Sequence, residues 1–250
     1  MKCARTVLAV LCLALCGAVR AEMAVSNAVA IVMNSPNAVS AKTFAEAKAI
    51  LERDAAAGLP LQQFVIGVTT DDKDLAKKYL EASRPRIRTL AERTDNPFAW
   101  YLLSMESNDF DMLRRAADGG NVQALNAIGT ILTQAALARD NISSNDLEQA
   151  LQQSFNCFRK AVVRRDANGF INLGTCYLRG FGCKQDMAMA FSCFMSAAEM
   201  GHPEGMDNVS ACYQFGHGVP KNGELSLLWA MRGRAARGDE AAAKWLKERK

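Results

Sequence analysis

The chain has 250 residues, half of them apolar and only 7% aromatic, with a formal net charge of +4. That length allows one extended repeat domain or two compact ones, with alanine and leucine carrying most of the burial. Lys2, Arg5 and Arg20 account for most of the excess charge. Without them 27 basic residues face 26 acidic ones, a balance that excludes the dense basic face nucleic acid demands.

The N-terminus reads as a targeting signal. Lys2 and Arg5 precede an apolar run from Thr6 to Val19, and Val19-Arg20-Ala21 fits a small-residue cleavage site. Residues 1–21 therefore predict a signal peptide, with Glu22 as the mature start. The apolar run is too short for a membrane span. Residues 122–138 are interrupted by Gln123, Asn126, Thr130, Thr133 and Gln134, so no integral span is expected once the signal is removed. Cys3, Cys12 and Cys16 leave with it. Cys157, Cys176, Cys183, Cys193 and Cys212 remain, an odd set in a compartment that permits disulfides.

Residues 22–41, with Pro36 and several Asn and Ser, form a lead-in linker or a first docking helix. Lys42 to Ala57 predicts a helix with Phe44, Ala47, Ile50 and Leu51 on one side. Gly58 stops it, and Pro60 opens a short helix to about Val68. Asp71 and Asp72 mark the next start, and Ala76, Tyr79, Leu80 and Ala82 follow. Pro85 is expected to break or kink that helix, leaving residues 87–93 as a separate piece. Asn96 to Ser104 then maps onto Asn121 to Gly129 at an offset of 25, with a short second helix between them ended by Gly119-Gly120. A longer turn before Asn145 follows, with Glu148 completing a capping box. Asn141-Ile142-Ser143 within it is a glycosylation acceptor in a eukaryotic source.

From Phe155 the chain repeats itself at a period of 36. The matches are Phe155/Phe191, Cys157/Cys193, Phe158/Phe194, Ala161/Ala197, Gly169/Gly205, Asn172/Asn208, Cys176/Cys212, Tyr177/Tyr213, Gly180/Gly216 and Gly182/Gly218. A fixed period of this size is the mark of a solenoid. Helices are predicted near 145–163, 166–179, 186–200, 203–215 and 222–237. Asp186 and Asn222 serve as caps, and a last polar helix over 239–248 closes the stack. Gly129 and Gly174 fall inside helices, at about 1 kcal/mol each relative to alanine. Close approach of a partner helix explains that cost. The reading is an all-α solenoid of about five to six helical hairpins over residues 42–250.

Leu173-Gly174-Thr175-Cys176-Tyr177-Leu178-Arg179-Gly180-Phe181-Gly182-Cys183, followed by Asp186, Ala190, Phe194, Ala197, Ala198 and Gly201, resembles the Sel-1-like repeat family of tetratricopeptide-like hairpins. Tyr213, Gly216, Gly218, Val219, Asn222, Trp229 and Gly238 continue the resemblance. Ser210 and Cys183 depart from the family's glycine and valine. The resemblance implies a right-handed αα superhelix and a non-catalytic scaffold or adaptor for a protein or peptide partner. Some cysteine-rich secreted members are associated with β-lactam hydrolysis. Those members carry a cysteine pair in every repeat and this chain in two at most, so a β-lactam hydrolase is the alternative.

Two pairings respect the repeat. Cys157 joins Cys176 and Cys193 joins Cys212, or Cys176 joins Cys193 within a hairpin. The further reading is small core hydrophobes. The spacings lack the close cysteine pairs of zinc sites, and no cofactor motif stands out. His202 and His217 read as exposed turn residues. The best functional surface is one side of the first helices of the hairpins. It comprises Gln123, Asn126, Thr130, Thr133 and Gln134, then Asn168, Ile171, Thr175, Leu178 and Arg179, then Glu204, Asp207, Ala211, Gln214 and Phe215. Amides, hydroxyls and a few charges suit an extended peptide. The resemblance places this stripe on a concave face, and the signal places the protein in the periplasm, the envelope or the medium.

Overall fold

The structure is a computed structural model that describes residues 41–138 and 142–249. The signal peptide, the lead-in up to residue 40 and Asn141 of the glycosylation triplet lie outside the described residues. Those described form α-helices and no strand: α1 (Ala41–Ala56), α2 (Pro60–Thr69), α3 (Lys73–Thr94), α4 (Pro97–Ser107), α5 (Phe110–Asp118), α6 (Val122–Leu137), α7 (Ser144–Val163), α8 (Ala167–Arg179), α9 (Met187–Glu199), α10 (Pro203–Phe215), α11 (Gly223–Ala236) and α12 (Glu240–Lys247). The chain divides into two compact units, with the boundary inside α3 between Arg84 and Pro85.

In the first unit, Ala47, Leu51 and Ala55 form the buried stripe of α1 at helical spacing, and Phe64, Val65 and Ile66 are buried on α2. Gly58, at φ +88, turns the chain, and Pro60 occupies the first turn of α2, where its missing N–H costs nothing. Gly67 faces Leu80: a Cβ there would stand 2.8 Å from Leu80 Cγ. The expected break at Pro85 does not occur, because α3 runs through it. Pro85 and Glu81, whose carbonyl loses its helical donor to the proline, are both exposed, so water can satisfy that carbonyl. Buried Ile87 and Ala91 beyond it offset the lost hydrogen bond. The proline thus marks the unit boundary and not a helix end.

The second unit stacks consecutive hairpins, α4/α5, α6/α7, α8/α9 and α10/α11, with α12 packed on α11. This is an αα-hairpin solenoid. Cap residues start its helices in register with the repeat. Asn96, Asn121 and Asp166 accept backbone N–H groups at the starts of α4, α6 and α8, and Asp186 and Asn222 do so for α9 and α11. The expected box at Asn145 and Glu148 does not form; the cap lies two residues earlier, at Ser143. Ser143 accepts from Asp146 N and donates to Asp146 Oδ2 at 2.7 Å. Serine at the cap satisfies one of the orphan donors, and the helix begins there.

The period of 36 is a period of contacts. Phe155 meets Tyr177 edge-on at 5.5 Å, and Phe191 meets Tyr213 edge-on at 5.5 Å. Gly182 (φ +67) lies against the Leu151 carbonyl and Gly218 (φ +75) against the Met187 carbonyl, with no room for a side chain at either. One core cluster gathers Phe155, Phe158, Leu173, Cys176 and Cys193. The next gathers Ala190, Phe194, Ala198, Val209 and Cys212. In α12 only Ala242 is fully buried, and Trp245 lies under Arg249 at 4.0 Å, as suits a helix that closes a stack.

Candidate partner-binding face

The first helices of successive hairpins touch one another directly, α6 against α8 and α8 against α10. Close approach is built in by small residues. A Cβ on Gly169 would stand 2.8 Å from the Ala161 methyl, and one on Gly205 would stand 2.7 Å from that of Ala197. α8 and α10 therefore each seat tightly on the preceding hairpin, and with α6 they present one layer.

The stripe expected on that layer splits in two. Gln134, Thr175, Arg179, Glu204 and Gln214 are exposed. Arg179 and Gln214 hold no hydrogen bond or ion pair among the described residues. Thr175 only returns its hydroxyl to the Ile171 carbonyl at 3.0 Å, leaving the outer surface free. Gln123, Thr130 and Asn168 are half-buried. Three others are engaged within the protein. Asn126 Nδ2 donates to Asp166 Oδ2 at 2.7 Å while Asn172 Nδ2 reaches Asn126 Oδ1 at 3.5 Å, which ties α6 to the start of α8. The Thr133 and Ser154 hydroxyls stand 2.6 Å apart and both reach the Gly129 carbonyl, at 3.0 and 2.8 Å. Asp207 pairs with Arg237 beyond α11. Ile171, counted on the stripe by spacing, is buried in the core at 4% exposure. Periodicity identifies a helix face but not which polar groups on it meet a neighbour.

The histidines also differ from expectation. His202 occupies the cap position of α10 without a side-chain cap bond, and its Nδ1 is buried with no partner among the described residues. Burial pushes its imidazole below the ordinary value, with Glu204 and Asp166 opposing and Arg237 reinforcing. His217 leans on Phe215 at 5.7 Å. No group of three or more His, Cys, Asp and Glu among the described residues could hold a metal ion, and no helix among them is long and apolar enough to cross a membrane.

The Sel1 repeat pattern matches residues 171–202 and 203–230, from within α8 to within α11. The chain carries Sel1 repeats. A Sel1 repeat protein from Oxalobacter formigenes is 20% identical over 51% of this chain and 90% of that one, with a TM-score of 0.44. A protective antigen of uropathogenic Escherichia coli strains, c5321, which displays an SLR fold, is 17% identical over 81% of this chain with a TM-score of 0.53. This chain spans only 44% of that protein, and the likeness is one of fold. No curated protein sequence matches the chain.

Neither disulfide pairing is present among the described residues, as the alternative of core cysteines requires. Cys157, Cys176, Cys183, Cys193 and Cys212 are free thiols. Cys176 and Cys193 share one apolar cluster with phenylalanine rings, and Cys212 lies in the next, so Cys193 and Cys212 are core hydrophobes of different layers. Burial pushes the Cys176 thiol up to about 12, helped by Cys183 and Cys193, and burial takes Cys193 and Cys212 to about 11. Burial also raises Cys157. That direction is opposite to the one that activates a cysteine nucleophile. Cys183, in the valine position, donates its thiol to the Cys176 carbonyl at 3.6 Å.

Sequence reasoning passed over a cleft beside the α8–α9 turn, bordered by Arg159 and Lys184. Its signal was a failure of the repeat: 36 residues on from Arg159 and Lys184 stand Met195 and Pro220.

Proposed function

We propose that this protein is an exported, non-catalytic scaffold that binds a protein or an extended peptide along the layer formed by α6, α8 and α10. One observation carries the reading. Gln134, Thr175, Arg179, Glu204 and Gln214 stay exposed on three helices that otherwise pack tightly. Polar groups left facing outward on touching helices offer a peptide backbone donors and acceptors. The Sel1 repeats support a partner-binding role by fold analogy. Export rests on the N-terminal pattern of Lys2, Arg5, the apolar run to Val19 and the small-residue site at Ala21.

Crosslinking and pull-down of the exported protein tests the face. Arg179→Ala with Gln214→Ala should abolish capture of a partner held by the wild type. A partner that survives both changes sinks the assignment. Cell fractionation with N-terminal sequencing tests export: the exported form should begin at Glu22, and a chain retaining Met1 in the cytoplasm would count against it.

A further inference from the structure

A cleft of about 710 Å³ opens between α7, the end of α8 and the turn that follows it. Phe155 and Arg159 line it from α7, Tyr177 from α8, and Lys184, Asp186 and Met187 from the turn and the start of α9. We infer that this cleft is a second binding site, apart from the α6–α8–α10 layer, and that it takes an acidic peptide segment bearing an aromatic or long apolar side chain.

The argument separates what the fold requires from what it does not. The aromatic frame recurs: Phe155 with Tyr177 and Phe191 with Tyr213 meet at the same distance and nearly the same angle. That frame belongs to the packing of every clear repeat. The cations do not recur. Arg159 gives way to Met195 and Lys184 to Pro220, with one lysine, Lys221, a place further on at the position of Gln185. The next hairpin folds without a charge at either position, so packing does not account for Arg159 and Lys184.

Nor do internal partners account for them. Both are exposed, and neither pairs with a carboxylate among the described residues. Arg159 lies over the Phe155 ring, 5.9 Å from its centroid, and acts on the Tyr177 phenol. One oxygen of Asp186, the carboxylate of the cleft, is held as the cap of α9 by Met189 N at 2.9 Å. The cleft thus carries two uncommitted cations beside half-buried Tyr177 and exposed Met187, with buried Phe155 as its floor. Its complement is a carboxylate-bearing chain whose apolar side chain covers Tyr177 and Met187. An exposed guanidinium is also well placed for a carboxylate, since its planar donors are free to bind bidentately.

A fluorescein-labelled decapeptide of alternating aspartate and phenylalanine is the probe, read by fluorescence anisotropy on the full chain. Saturable binding is expected, and it should weaken with added salt. Arg159→Met, which installs the residue of the next repeat, together with Lys184→Gln should weaken it about tenfold. Arg179→Ala with Gln214→Ala should leave it unchanged, which keeps this site distinct from the layer proposed above. Should the double variant fail to fold, Lys184→Glu on its exposed turn replaces it, with the same loss expected. The inference is overturned by no binding to the wild type at about millimolar concentration. It is also overturned by equal binding of the asparagine–phenylalanine peptide, or by full binding to the Arg159 and Lys184 variants.

Discussion

Gly174 and Phe194 compete for one space. A Cβ on residue 174 would stand 2.6 Å from Phe194 Cε1, and the ring is only 2% exposed, with nowhere to go. One repeat later the pair is Ser210 and Ala230. Where the phenylalanine is missing a side chain is admitted, and the Ser210 hydroxyl donates to the Ser226 carbonyl at 2.8 Å. Gly129 and Phe158 repeat the first arrangement, at 2.5 Å.

Gly174→Ala should therefore lower the unfolding free energy by about 1 kcal/mol, since overpacking outweighs the better helix propensity of alanine. Phe194→Ala alone should cost about 3–5 kcal/mol. Gly174→Ala with Phe194→Ala, which brings the pair nearer to that of the later hairpin, should cost less than the two single changes together. Urea unfolding of the four proteins measures this. Strict additivity would show that the residues do not share the space.

The turn glycines differ among themselves. Gly201, at φ +83, has nothing within 4 Å of a built Cβ, so Gly201→Ala should cost only the backbone strain, about 1 kcal/mol. Gly182, at φ +67, would drive its Cβ into the Leu151 carbonyl. Backbone cannot rotate away, so Gly182→Ala should cost at least about 3 kcal/mol. Thermal and urea unfolding should rank them in that order, and equal costs would contradict the seating of the turn on α7.

The polar residues of the first helices should sort by their partners. Asn126→Ala removes the bond to Asp166, and Thr133→Val removes a hydroxyl shared with Ser154. Each should lower stability by about 1 kcal/mol. Gln134→Ala, Arg179→Ala and Gln214→Ala should change it by less than about 0.5 kcal/mol, as exposed substitutions do. A stability loss at Arg179 equal to that at Asn126 would mean the outer surface is not free.

Alkali should destabilise the protein through its buried thiols. Cys176 is raised to about 12, and Cys193 and Cys212 to about 11, from an ordinary 9.0. The folded chain holds these protons more tightly than the unfolded one. Their stabilisation is complete below about pH 9 and is lost as pH rises towards 11 and 12. Urea midpoints at about pH 8 and about pH 11 should fall more for the wild type than for Cys176→Ala. A matching fall would remove the thiol from the account. Thiol titration of the denatured mature chain should find five groups, as the free cysteines require. Three or fewer would mean that a bridge forms.

Pattern alone reached the helices from Asn96 onward, because turn and cap chemistry is local. Pro203 opens α10 and Phe215 closes it as expected, and Asp186 and Asn222 cap α9 and α11 where the repeat placed them. Pro85 misled because the cost of a proline is local while its compensation, burial of Ile87 and Ala91, is not. The cysteines could not be read as paired or free, since that depends on the layer each side chain enters. Cys193 and Cys212 enter different ones.

The order of residues by itself determined the period of 36, the hairpin as its unit and the glycines at helix crossings, because each repeat must present the same faces to its neighbours. Only the tertiary structure decided which polar residues of a helix face were used up inside, as with Asn126, Thr133 and Asp207, and which remained outward, as with Arg179 and Gln214. The physical reason is that helical spacing sets the direction of a side chain. Whether a donor or a carboxylate lies at the end of that direction depends on residues dozens of positions away.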